Sequence, residues 1–141
     1  MSSYPNVIIP TNYHLRAISQ VFHNYPAEIL QNGILYPMPY SMDSIASLAV
    51  KAAATAILVQ TPSGPVHQPS SDLAVEMKTY LGGFDNHVTD HLIRLVYEFI
   101  NYLIIRFTMN NWYVVDGECP YRFVGFSAPH SSTYDIVVRC G

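Results

Sequence analysis

The stretch from Asp85 to Phe107 constrains the fold of this chain more than any other part of the sequence. As an α-helix it is about 35 Å long, which is the width of a small domain. At a helical step of about 100° per residue its apolar residues fill an arc of about 180°, whereas a surface helix usually shows a stripe of little more than about 100°. We therefore expect this helix to be covered on at least two sides, by its own chain, by a partner, or by both.

Charged residues are scarce in the chain. They make up 12% of the 141 residues, while 50% are hydrophobic, and an ordinary domain has about 25% charged residues. Two interpretations follow: a neutral, tyrosine-rich soluble protein, or a protein whose surface is partly covered by other subunits. Obligate interfaces are poor in charge and rich in Tyr, Phe and Met, so the composition favours the second interpretation.

Charge and hydropathy also disfavour several classes of protein. The net charge is −3 and no run of basic residues occurs, so the electrostatic footprint of a nucleic-acid-binding protein is missing. The first residues lack the basic and apolar regions of a signal peptide. The long helix carries Arg94, Glu98 and Arg106, which disfavours a membrane span. We expect an intracellular or particle-associated protein.

The sequence predicts a single domain over residues 1–141, made of three successive parts. Residues 1–40 form an arm rich in Pro and Tyr with one short helix, capped by Thr11 or Asn12 and ending near residue 23. Residues 41–108 form a helical core, and residues 109–141 are rich in β-branched and aromatic residues.

The helical core is predicted to hold three helices. Ser41 caps a nearly all-apolar helix that runs to about Gln60, and Asp85 caps the long helix over residues 85–108. Between them, Ser71 caps a shorter helix. The prolines and the glycine between Thr61 and Ser70 predict a loop.

The carboxyl-terminal part is predicted to form a small antiparallel sheet. Its strands lie at residues 112–115, 121–126 and 133–138, separated by turn-forming residues. An amino-terminal strand at Val7–Ile9 can join them. The predicted fold class is therefore α+β, with about four helices around the long central helix and a small carboxyl-terminal sheet.

Aromatic and apolar residues of the arm and of the long helix are the candidates for contacts between subunits. They are Tyr4, Tyr25, Tyr36, Tyr40, Phe99, Leu103 and Phe107. We expect the partners to be copies of the chain, other subunits, or both.

His87 and His91 are candidate metal ligands. Their spacing places two imidazoles on one face of the long helix, as in many zinc sites, and Asp90 takes the position of the Glu in an H-x-x-E-H motif. Arg94 lies one turn from His91 on the same face and would repel a divalent ion. A solvated polar face is the simpler interpretation, and we predict no cofactor.

The chain has two cysteines, Cys119 and Cys140. A hairpin centred on residues 129–130 would place them opposite each other, within the range of a disulfide bond. Reduced cysteines and metal ligation with histidines are the alternatives. Ser127, His130 and Asp135 are close in sequence, but they lack the glycine pattern around a nucleophilic serine.

The sequence predicts a non-catalytic subunit of a larger homo- or hetero-oligomeric particle, such as a shell or appendage component. In composition the chain is similar to small structural proteins of virions. Two alternatives stay open: a small metal-dependent hydrolase that uses His87 and His91, and a monomeric binding module with an apolar pocket between helices and sheet.

Overall fold

The long helix is the central element of the fold. The computed structural model describes residues 5–25, 41–81, 86–113, 121–128 and 133–140. Within them α4 (Asn86–Met109) has 24 residues and is about 36 Å long. The α+β class is confirmed, with the long helix where the sequence predicts it.

Three shorter helices pack against α4: α1 (Asn12–Asn24), α2 (Met42–Ala54) and α3 (Leu73–Tyr80). Helix α1 buries Leu15, Ile18 and Val21, spaced by three residues on one face. Helix α2 is buried more widely because it also packs against the sheet. Ser41 and Ser44 cap it reciprocally through their hydroxyls, as the sequence predicts for Ser41.

The sheet has three antiparallel strands, β1 (Val7–Ile9), β4 (Tyr121–Phe126) and β5 (Ile136–Cys140), in the order β1-β5-β4. The amino-terminal strand therefore joins the carboxyl-terminal sheet, as expected. The strand predicted at 112–115 is wrong for its first half, because Trp112 and Tyr113 lie outside any strand. Residues 114 and 115 are outside the described part of the chain.

A second, two-stranded sheet corrects the prediction for residues 55–70. Helix α2 ends at Ala54, and the chain continues as a hairpin of β2 (Ile57–Thr61) and β3 (Gly64–Gln68). The predicted helix is confirmed as far as Ala54 and is wrong from there to Gln60, and the predicted loop over 61–70 is wrong where Thr61 and Gly64–Gln68 form strands. The β-branched residues of β2 favour a strand, and a two-residue turn, followed by Gly64 at φ +111°, reverses the chain.

The start of α1 is held by the residues that directly precede β5 rather than by its own cap. The Asp135 carboxylate accepts from the backbone N–H groups of Thr11 and Asn12, at 3.1 and 3.2 Å. The predicted cap, Thr11, instead donates its hydroxyl to the Tyr134 carbonyl at 2.6 Å. Since these residues are far apart in sequence, the network joins the two ends of the described chain.

None of the helices in the described ranges combines the length and hydropathy needed to cross a bilayer.

Candidate interaction surface

The hairpin β2–β3 exposes apolar side chains to solvent. No charged residue occurs between Lys51 and Asp72. Three of its large apolar side chains are exposed to solvent: Ile57 by 50%, Leu58 by 53% and Val66 by 43%. An exposed apolar patch without charge is a candidate interaction surface.

The pairing of the two strands assigns these side chains to faces. Val59 is directly opposite Val66, and Ile57 is opposite Gln68. Directly opposed residues lie on the same face of a sheet, and neighbours along a strand alternate. Ile57, Val59 and Val66 therefore form one face, which we call the outer hairpin face.

The opposite face of the hairpin is attached to the helical core. His67 stacks on the Tyr113 ring at a centroid distance of 4.2 Å and an interplanar angle of 10°. The Tyr113 hydroxyl donates to the backbone carbonyl of Ala53 in the last turn of α2. Tyr113 also makes an edge contact with Phe107 of α4. Because these contacts hold the opposite face, the outer hairpin face is turned towards solvent.

One edge of strand β2 has no strand paired with it among the described residues. The loop between the strands has two residues, so the closing pair Thr61–Gly64 is hydrogen-bonded and the next pair, Gln60–Pro65, is not. The backbone groups of Gln60, and of Leu58 two residues before it, consequently point away from β3. In β3, Pro65 has no N–H to donate to a further strand, so this edge is protected against pairing. Strand β2 contains no Pro and no charged residue.

The candidate contact residues of the long helix lie in the interior of the chain. Phe99, Leu103 and Phe107 are fully buried in the core of the single chain, so the chain itself covers their side chains. Of the arm residues, Tyr25 is exposed at the end of α1. Three candidates lie outside the described residues, namely Tyr4, Tyr36 and Tyr40.

The two histidines of α4 lie at its first turns, His87 exposed and His91 half-buried. The Arg94 guanidinium is 3.4 Å from Nδ1 of His91, in the position that the sequence predicts. No group of three His, Cys, Asp or Glu side chains in the described ranges could hold a metal ion. The structure does not bring a further ligand to this pair within those ranges.

The register of the sheet gives the strand partner of one of the two cysteines. Cys140 is half-buried and is paired with Tyr121. Cys119 lies outside the described residues, and Cys140 has no disulfide partner among those within them. The disulfide therefore stays a prediction.

A cleft between α2 and β4 lies where a helix–sheet pocket was expected. It has a volume of about 390 Å³, and its lining is mixed rather than apolar: Ser47, Lys51, Ala54, Thr55, Tyr121, Arg122 and Phe123. Because polar and charged side chains line this cleft, it does not support the predicted apolar pocket, which stays a prediction.

Sequence reasoning did not find the hairpin, although its signals are present. The turn residues Pro62, Ser63 and Gly64 follow a segment rich in β-branched residues, Ile57–Thr61, which is the first half of the usual pattern of a hairpin. Comparison of the chain with protein families, with curated proteins and with solved structures finds no match.

Proposed function

We propose that the protein is a non-catalytic assembly subunit that associates with a second copy of itself through the free edge of β2. The observation that carries the proposal is the exposed, uncharged hairpin with an unprotected strand edge. A row of unpaired backbone groups on such an edge is a template for pairing with another strand.

A second copy is the occupant that the charge distribution favours. In a two-fold interface the same patch meets itself, so any charged residue would lie near its own copy. The hairpin has no charge from Ala52 to Ser71 and pairs with itself without this repulsion. Antiparallel pairing of two β2 strands satisfies the outward backbone groups of Leu58 and Gln60 in both copies.

Pairing also stabilises the hairpin itself. A two-stranded sheet is marginal in water, whereas a sheet of three or more strands with an apolar face is not. Two paired hairpins make four strands, and the outer hairpin faces of both copies join into one apolar surface. That surface could be covered by further subunits, so a shell or appendage of a virion-like particle remains the wider class that the composition favours.

The test compares the mass of the full chain and its variants by light scattering over a wide dilution series. We expect the wild type to be a dimer, and Gln60→Lys to weaken association by about tenfold or more, because it places like charges at the strand edge. Gln60→Pro should have the same effect, since it removes an outward N–H without removing a bond of the hairpin.

Ser63→Lys is the matched control, because it adds the same charge at the exposed turn of the same hairpin. It should remain a dimer. A wild type that is monomeric throughout the series, or a Gln60→Lys variant that associates as tightly as the wild type, would overturn the proposal.

A further inference from the structure

The three-stranded sheet has an outward face, opposite to the face that packs on the core. Ile136 and Val138 of β5 are fully buried, so Val137 and Arg139, which alternate with them, point outward. The neighbouring strands contribute Ile8, which is 60% exposed, and Val124, which is 46% exposed. This outer sheet face is thus apolar where the three strands meet.

Two arginines lie directly opposite each other at one end of the outer sheet face. Arg122 of β4 is paired in register with Arg139 of β5. Like charges in directly opposed positions destabilise a sheet. Neither side chain has a hydrogen bond or an ion pair with any described residue. The nearest acidic residue along β5, Asp135, is engaged by the start of α1.

The geometry points to a docking site for an acidic peptide segment of a partner protein on the outer sheet face, and we propose that one of its carboxylates lies between Arg122 and Arg139. A carboxylate accepts charge-assisted hydrogen bonds from guanidinium groups, so one placed between two arginines turns their repulsion into attraction.

The apolar part of the outer sheet face requires that the peptide also carry an apolar side chain. Val137 precedes Arg139 by two residues, a distance of about 7 Å along the strand. An extended segment meets both features when an aliphatic or aromatic side chain follows the acidic residue by two positions. Nucleic acid fits less well, because its affinity rests on many phosphate contacts and this face offers two arginines beside exposed Ile8 and Val124.

The test uses a synthetic peptide library with Asp or Glu at one position, Leu, Ile, Val or Phe two positions later, and Gly or Ser elsewhere. We expect the immobilised full-length protein to retain members of this library and not of a matched library with Asn or Gln in the acidic position. For a retained peptide, the double variant Arg122→Gln, Arg139→Gln should weaken binding by about tenfold or more. Arg94→Gln, which removes an exposed arginine of α4, is the control and should bind as the wild type does.

Two further variants separate docking from folding. A Cβ at Gly125 meets no atom within 4 Å, so Gly125→Gln should fold normally and obstruct the face beside Val137. Arg122→Gln should raise the melting temperature in the absence of peptide, because it removes the like-charge pair. Gln60→Lys should bind the peptide as the wild type does, since the β2 edge belongs to the other sheet.

Equal retention of both libraries, no retention of either, or unchanged binding by the double arginine variant would overturn the proposal. An oligothymidylate that binds more tightly than every acidic peptide, and that also requires Arg122 and Arg139, would overturn it in favour of a nucleic-acid ligand.

Discussion

At the scale of single residues, His14 shows how the core acts on a titrating group. Its ring lies against two aromatic rings of α4, with centroid distances of 5.8 Å to Phe99 and 4.7 Å to Tyr102. Burial lowers the pKa of His14 below its ordinary value of 6.5, and the Glu98 carboxylate opposes this in part. The folded chain therefore binds this proton less readily than the unfolded chain does.

The sign of the pH dependence follows from this lowered pKa. The stability contributed by neutral His14 is complete above pH 6.5 and decreases as the pH falls from there to the pKa of the folded state. We expect a pKa below 6.5 for His14 in an NMR titration. His14→Phe keeps a ring in this position and should reduce the loss of unfolding free energy on acidification. His87→Phe is the control, and a pKa of His14 at or above 6.5 would contradict the prediction.

Single residues also show where local patterns are insufficient. The sequence indicates a helix start at Thr11 or Asn12, and α1 does begin there. The group that accepts its first N–H bonds is Asp135, which a local capping rule cannot find because it lies 124 residues from Thr11. The stripe of Phe99, Leu103 and Phe107 could be predicted as covered, but its period does not tell whether the chain itself or a partner covers it.

At the scale of elements, the end of α2 shows a limit of hydrophobic periodicity, which predicts the helix but not the residue at which it ends. Ala53, Ala54 and Ala56 continue into Ile57, Leu58 and Val59, so the apolar run gives no boundary between helix and strand. The side chain of Thr55 bonds the Lys51 carbonyl at 2.8 Å, and the Tyr113 hydroxyl bonds that of Ala53. Because Tyr113 is distant in sequence, local patterns cannot predict its contact at this boundary.

Tyr113 should accordingly control the order of the hairpin. We expect Tyr113→Phe to cost about 1 kcal/mol through the lost hydrogen bond, and Tyr113→Ala a further ~1 kcal/mol through the lost stacking on His67. Hydrogen exchange of the amides of residues 57–68, measured in a Gln60→Lys background to remove protection by association, should be faster in Tyr113→Ala than in Tyr113→Phe. Exchange unchanged in both variants would show that the Tyr113 contacts do not order the hairpin.

At the scale of the whole molecule, folding and association are assigned to different residues. Leu103 is fully buried in the core, and Leu103→Ala should cost about 2–5 kcal/mol of unfolding free energy. Gln60 lies on the exposed hairpin, and Gln60→Lys should leave the fold intact. Association stabilises only the folded chain, so the melting temperature of the wild type should rise with protein concentration.

The two variants should therefore change the melting temperature in different ways. Leu103→Ala should lower it at every concentration and keep its rise with concentration, whereas Gln60→Lys should match the wild type at high dilution and lose that rise. Calorimetry or circular dichroism across a dilution series measures both quantities. A Gln60→Lys variant whose melting temperature rises with concentration as that of the wild type does would contradict this assignment and would remove the assembly role from the β2 edge.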